Sequence, residues 1–127
     1  MPDRSASTVG QKTILIVEDE AIVRMLAVDM LEDAGYVVRE AGTADEALAV
    51  LEKGVPVDIV FTDVRMPGSM DGLALAGIVG DRWPQIGIII TSGHMILPCG
   101  TGPGQAVFLP KPYRGSTLSA QVAALAA

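Results

Sequence analysis

The sequence has few aromatic residues, few basic residues and a single cysteine. Aromatic residues make up 4% of the chain, so its core must consist mainly of Val, Ile, Leu, Met and Ala. The single cysteine, Cys99, excludes a disulfide within the chain and fits a reducing compartment. Because the net charge is −6 and the Lys and Arg residues are scattered, we expect neither nucleic-acid binding nor binding to an anionic membrane surface.

Long apolar runs are absent as well. No stretch of the chain approaches the roughly 18 apolar residues of a membrane-spanning helix. Residues 1–10 are polar and lack the apolar centre of a signal peptide. Half of the 127 residues are hydrophobic, which is typical of a globular domain of this length. We therefore expect a cytoplasmic protein with a disordered tail over 1–10 and one domain over 11–127.

Short runs of β-branched residues alternate with stretches that have apolar residues at helical spacing. The pattern predicts strands over 12–17, 36–41, 58–62, 87–91 and 106–110, and helices from about 21 to 34, 43 to 53, 71 to 82 and 116 to 127. Thr43 is the expected N-cap of the second helix, with Glu46 completing a capping box. Such an alternation indicates a parallel sheet with helices on both faces.

Side chains that could bind a ligand or take part in a reaction follow the predicted strands. Glu18 and Asp19 end the first strand and Asp63 ends the third, while Thr91 and Lys111 follow the fourth and fifth. Ligands of parallel sheets bind at these carboxyl ends. Neighbouring carboxylates raise one another's pKa unless a cation offsets them, and Mg²⁺ is the natural cation for such oxygen ligands. A lysine and a hydroxyl beside them suit a phosphoryl group, with Asp63 as nucleophile.

This set of residues resembles the receiver domain of response regulators in two-component signalling. The matching segments are ILIVEDE (14–20), FTDVRMPGSMDG (61–72), IIITSG (88–93) and FLPKPY (108–113). The resemblance implies a flavodoxin-like α/β fold of three layers, with a five-stranded parallel sheet of order 2-1-3-4-5 and helices on both faces. It also implies a stand-alone receiver domain that acts in a phosphorelay.

The resemblance assigns roles to the acidic residues. Asp63 accepts a phosphoryl group from a histidine kinase or a histidine phosphotransfer protein, in a step that needs Mg²⁺. Asp19 and Asp63 bind the metal ion, Glu18 assists through a water molecule, and the backbone carbonyl of Arg65 is a further ligand. Phosphorylation then switches the binding of a downstream partner, which the sequence does not identify, and a homodimer is a further option.

The resemblance also assigns roles to residues of the fourth and fifth strands. Thr91 turns toward the phosphate and Lys111 pairs with it. Phe108 matches the aromatic switch position, although plain core packing is an equal alternative. The Lys111–Pro112 peptide bond is expected to be cis.

One segment departs from the family's pattern. Residues 93–105 read GHMILPCGTGPGQ, and prolines and glycines at this density do not sustain a helix. We therefore expect the family's helix between the fourth and fifth strands to be shortened or missing. Met95–Leu97 then either cover the core or meet a partner.

Other interpretations of the same residues remain open. Glu18, Asp19 and Glu20 would also suit the start of a helix, where the helix dipole favours acids, and Asp63 would suit a turn. A Mg²⁺-dependent phosphatase also uses an aspartate nucleophile, but the Asp-x-Asp pattern of haloacid-dehalogenase-type phosphatases is absent. A flavin-binding domain would need a phosphate loop where this chain has acids.

Two further expectations concern activity. The chain is expected to have no enzymatic activity beyond its own phosphorylation and dephosphorylation, and a receiver-like module that acts without phosphorylation is the remaining alternative. Arg65 lies two residues after Asp63, and we hypothesise that its side chain affects the lifetime of the phosphoryl group.

Overall fold

The computed structural model describes residues 11–126 except Pro67, Ser69 and 94–105. Our expectations for the tail over 1–10 and for the segment that contains Met95–Leu97 lie outside the described residues. The described part holds five strands: β1 (Thr13–Val17), β2 (Val37–Ala41), β3 (Ile59–Asp63), β4 (Gly87–Ser92) and β5 (Val107–Pro110). It holds four helices: α1 (Ala21–Asp33), α2 (Ala44–Glu52), α3 (Gly72–Arg82) and α4 (Gly115–Ala126).

The five strands form one parallel sheet in the order β2-β1-β3-β4-β5. The predicted flavodoxin-like topology is therefore confirmed. Each predicted end of a strand or helix agrees with the observed one or differs from it by one residue. None of the described helices is long and apolar enough to cross a membrane.

Local signals in the sequence account for the ends of the helices. Gly35 follows α1 with a φ of 98°, a left-handed conformation that glycine adopts without steric cost. The Thr43 hydroxyl accepts a hydrogen bond from the Glu46 amide at 3.1 Å and caps α2. The predicted capping box is only half formed, because the Glu46 carboxylate accepts from the Gly42 amide at 2.8 Å, one residue before the N-cap.

Apolar side chains along the strands point alternately to the two faces of the sheet, and helices pack against both faces. Leu15, Val60 and Ile88 pack toward α2 and α3 in one buried cluster. Ile14 and Ile59 pack toward α1 and α4 in the other. Because strands buried on both faces leave no room for polar side chains in the middle of the sheet, the polar residues collect at the carboxyl ends of the strands.

Candidate functional site

Three carboxylates meet at the carboxyl ends of β1 and β3. These strands are neighbours, with Val17 aligned with Thr62, so that Glu18 and Asp19 lie beside Asp63. One carboxylate oxygen from each of the three acids lies within 4.8 Å of the others. Glu18 is 5% exposed and Asp63 is 9% exposed, whereas Asp19 is exposed to solvent. Two of the acids are therefore buried, and the third faces solvent.

Lys111 supplies a positive charge to this cluster. Its Nζ donates to Asp63 Oδ2 at 3.0 Å and to Glu18 Oε1 at 3.5 Å. The backbone of Lys111 is held as well, since its amide donates to the Ser92 carbonyl at 3.1 Å. The Lys111–Pro112 bond is cis, as expected. The pairing of strands β4 and β5 thus positions the ammonium group of Lys111 beside the two buried acids.

The pKa values of Glu18 and Lys111 are both raised, for different reasons. Burial raises the pKa of Glu18, and the charge of Asp63 adds to this rise, while the hydrogen bond from the Glu20 amide and the charge of Lys111 oppose it. Burial by itself would lower the pKa of Lys111. The hydrogen bond to Asp63 and the charges of Asp63 and Glu18 outweigh burial, so that the pKa of Lys111 is raised. Desolvation, more than crowding by other acids, therefore disfavours the charged form of Glu18.

Thr91 lies directly beside Asp63 on the next strand. The two residues are aligned in the β3–β4 register, and the Val64 amide donates to the Thr91 carbonyl at 3.1 Å. Thr91 is 3% exposed, and its Oγ1 is buried without a hydrogen-bond partner in the described part of the chain. A buried hydroxyl without a partner is unfavourable in a folded protein.

Arg65 and Phe108 occupy different surroundings. The exposed Arg65 lines a cleft of about 320 Å³ together with Asp19, Glu20, Asp63, Gly93 and Lys111. Phe108 is 8% exposed, aligns with Ile90 in the sheet and belongs to the buried cluster under α2 and α3. The structure thus places Arg65 in the cleft beside the acids and Phe108 in the core, and the switch role of Phe108 stays a prediction.

Gly72 is a residue whose steric role the sequence motif did not reveal. It is the first residue of α3, and its amide donates to the Val64 carbonyl at 2.8 Å. A Cβ at this position would overlap the carbonyl oxygen of Asp63 and lie 2.8 Å from the Asp63 carbonyl carbon. Only glycine therefore allows α3 to begin directly against the backbone of Asp63.

Arg24 is a second residue that sequence reasoning missed. Its Nη1 donates to the backbone carbonyl of Glu18 at 2.7 Å, and its Nε donates to Glu40 Oε1 at 3.0 Å. The available signal was its place on α1, about one helical turn after the acidic run. That spacing is common on solvent-facing helices and does not identify a partner.

Comparisons with known proteins agree with this architecture. The model of the response regulator receiver domain family matches residues 14–123. Sensor kinase CckA of Brucella abortus is 39% identical over 127 residues, which cover 94% of this chain and 13% of the kinase. The nitrogen assimilation regulatory protein NtrX of Azorhizobium caulinodans is 35% identical over 109 residues, 83% of this chain and 24% of that protein. The chain thus spans a quarter or less of the length of these relatives.

A solved structure is similar over nearly the same range. The response regulator TrrA of Thermotoga maritima, solved in complex with Mg²⁺ and BeF, superposes with a TM-score of 0.81 at 28% identity and covers 91% of this chain and 99% of that one. The family model covers most of the chain, and the sheet order is the one expected for this fold. The chain therefore belongs to the response regulator receiver domain family, the phosphoryl-accepting signalling domains of two-component systems.

Proposed function

We propose that residues 11–127 form a receiver domain in which Asp63 accepts a phosphoryl group from a phosphohistidine. The donor is a histidine kinase or a histidine phosphotransfer protein. One observation carries this assignment: the buried Asp63 carboxylate lies 3.0 Å from the ammonium of Lys111 and within 4.8 Å of two further carboxylates. A phosphorylated Asp63 would alter this cluster directly, and the altered cluster would switch the binding of a downstream protein.

The donor set fits Mg²⁺. When all three carboxylates are ionised, the single ammonium leaves two negative charges in the cluster, which a divalent cation would balance. Carboxylate oxygens are the ligands that Mg²⁺ prefers, and the exposure of Asp19 leaves room for the waters that the ion retains. The structure of the similar TrrA in complex with Mg²⁺ and BeF supports this choice.

Four groups would hold the ion. Asp19 and Asp63 would bind it through their carboxylates, the Arg65 carbonyl would be a further ligand, and Glu18 would act through a water molecule. When bound, Mg²⁺ supplies positive charge that neutralises the oxygens of the transferred phosphoryl group.

Three side chains of this protein take part in the transfer of the phosphoryl group. A carboxylate oxygen of Asp63 forms the new bond to phosphorus while the phosphorus–nitrogen bond of the phosphohistidine breaks. Lys111, already paired with Asp63 at 3.0 Å, neutralises charge on the phosphoryl oxygens. The Thr91 hydroxyl, which has no partner within the described residues, donates to one of these oxygens once its side chain turns toward them.

The proposed activity ends with this transfer and the later hydrolysis of the acyl phosphate. We propose that the protein acts in the cytoplasm and that its effect on the cell is exerted by the partner it binds. Because the matched relatives are several times longer than this chain, their own donors and targets are not assigned to it.

Phosphorylation by a small donor tests the assignment of Asp63. The chain is incubated with Mg²⁺ and acetyl phosphate, and the adduct is detected by intact mass spectrometry after acid or base treatment. We expect one adduct that is stable in acid and labile in base, as an acyl phosphate is. The Asp63→Asn variant should lose it.

Asp71→Asn is the matched control. Asp71 is exposed and caps α3 by accepting from the Ala74 amide at 2.9 Å, and asparagine caps helices about as well. This variant should therefore keep the adduct. An adduct that persists in Asp63→Asn, or that is lost in both variants, would refute the assignment.

A further inference from the structure

The guanidinium group of Arg24 joins three parts of the fold next to the acidic cluster. Arg24 lies on α1, its Nη1 donates to the Glu18 carbonyl at 2.7 Å, and its Nε pairs with Glu40 on β2 at 3.0 Å. The Arg24 side chain is 23% exposed, and that of Glu40 is 49% exposed. The arginine is thus largely covered, and its two hydrogen bonds use two nitrogens of the same planar group.

These contacts hold the peptide from which the acidic side chains project. On the other side of Glu18, its amide donates to the Ala41 carbonyl at 3.0 Å. The Glu20 amide donates to Glu18 Oε2 at 3.1 Å. Because a peptide unit is planar, holding the Glu18 carbonyl also holds the amide nitrogen and the Cα of Asp19, the atom from which its side chain projects.

We propose that Arg24 is a positioning residue for the Mg²⁺ site. This inference rests on the proposed function above, in which Glu18 and Asp19 take part in metal binding. Arg24 contacts no carboxylate of the cluster in its two hydrogen bonds. It acts through the Glu18 carbonyl, and Glu40 orients its guanidinium. Outer partners of this kind orient metal ligands and strengthen binding.

The sign of the effect separates positioning from simple charge repulsion. Arg24 carries a positive charge beside an acidic cluster. If it acted only through its charge, its removal would strengthen Mg²⁺ binding, since a cation repels a cation. If it holds the Glu18–Asp19 peptide, its removal must weaken binding, because the ligands lose their fixed geometry.

Titration calorimetry of Mg²⁺ against the full 127-residue chain measures this directly, without any phosphoryl donor. We expect Arg24→Ala to raise the dissociation constant about 10-fold. Arg24→Lys keeps the charge but cannot make both hydrogen bonds in the planar geometry of arginine, so its dissociation constant should lie between those of wild type and Arg24→Ala.

Arg82→Ala is the matched control. Arg82 Nη1 pairs with Glu52 Oε2 at 2.8 Å, and this bridge joins the C-terminal ends of α2 and α3. Because α3 begins beside Asp63, at the carboxyl end of β3, its C-terminal end lies toward the amino ends of the strands, away from the acids. The variant removes the same charge and the same kind of bridge, and its Mg²⁺ affinity should equal that of wild type. Thermal unfolding without metal shows whether each variant is folded.

The outcomes are distinct. If wild type binds Mg²⁺, Asp19→Asn does not, and both Arg24 variants bind as tightly as wild type or more tightly, the positioning role is refuted while the proposed function stands. The positioning role is also refuted if Arg82→Ala weakens binding as much as Arg24→Ala. If wild type binds no Mg²⁺, the proposed metal site and the role of Arg24 fall together. Should Arg24→Ala fail to fold, Arg24→Lys decides, since wild-type affinity in that variant refutes positioning.

Discussion

Replacement of Gly72 by alanine should destabilise the protein and disturb Asp63 at the same time. A Cβ at Gly72 would overlap the Asp63 carbonyl oxygen, lie 2.8 Å from the Asp63 carbonyl carbon and lie 3.0 Å from the Val64 Cα. All three atoms belong to the backbone, so no side chain can rotate away to make room. Either the start of α3 or the end of β3 must move.

The expected change in stability combines two losses and one gain. Forcing an extra carbon into a packed interior costs typically about 1–3 kcal/mol. Moving α3 also weakens the hydrogen bond from the Gly72 amide to the Val64 carbonyl, which is worth about 1 kcal/mol. Alanine regains up to about 1 kcal/mol because it favours helices over glycine. The last two terms nearly cancel, so the free energy of unfolding should fall by about 1–3 kcal/mol.

Urea denaturation measures this change, and Gly42→Ala is the control. A Cβ at Gly42 would lie 3.5 Å from Glu46 Oε1 and 3.7 Å from Arg24 Nη1, in ordinary contact with the ends of flexible side chains. The control should change stability by less than about 0.5 kcal/mol, as most substitutions at tolerant sites do. In Gly72→Ala, phosphorylation by acetyl phosphate should also be slower. A Gly72→Ala protein with wild-type stability would show that the close approach of α3 to Asp63 is wrong.

Three further substitutions test individual parts of the site. Thr91→Val should stabilise the unphosphorylated protein by about 1 kcal/mol in urea denaturation, because it removes a buried hydroxyl that has no partner among the described residues. The same variant should be phosphorylated more slowly, and a lower stability than wild type would contradict this account. The raised pKa of Lys111 means that its contribution to stability is present below the ordinary value of 10.5 and is lost as the pH rises through the folded value. Tyr113 also has a raised pKa, so the test uses a Tyr113→Phe background. In that background, Lys111→Met should reduce the loss of stability that begins above pH 10.5, and an unchanged pH profile would refute the pairing of Lys111 with the acids. Arg65→Ala should shorten the lifetime of the acyl phosphate about two- to fivefold, because the cleft beside Asp63 loses one exposed charged side chain. An unchanged rate of dephosphorylation would exclude the role of Arg65.

The parts of the fold that depend on neighbouring residues could be predicted from the sequence. The buried strands read as continuous apolar runs, and Gly35 and Thr43 mark helix ends through their own backbone and side-chain preferences. The order of the strands is not a local property, and its prediction came from the resemblance to a family. The meeting of Glu18, Asp63 and Lys111, whose positions in the sequence are far apart, was predicted from their places at the ends of strands, and it depends on that strand order.

The parts that could not be predicted depend on distances between separate elements. That α3 begins against the backbone of Asp63 depends on how the chain returns to β3 at Gly72, and neither residue type reveals this. Arg24 could have pointed to solvent from α1. Only the packing of α1 against the end of β1 and against β2 shows that the Glu18 carbonyl and Glu40 lie within its reach. Crowding by other acids was the expected cause of a raised carboxylate pKa, whereas burial is the larger cause for Glu18. Burial depends on how closely the surrounding elements pack.

Two unfavourable features of the site have a common resolution. Glu18 and Asp63 are buried beside a third acid with one ammonium group between them, and the Thr91 hydroxyl beside Asp63 has no partner among the described residues. A metal ion alone would balance the charge and leave the hydroxyl unpaired. A hydrogen-bond acceptor alone would satisfy the hydroxyl and leave the acids unbalanced. A phosphoryl group on Asp63 together with Mg²⁺ provides both the acceptor and the charge, so the two ligands should stabilise the fold more together than the sum of their separate effects. Thermal unfolding of phosphorylated and unphosphorylated protein, each with Mg²⁺ and after its removal by a chelator, measures this coupling, and purely additive shifts would contradict it.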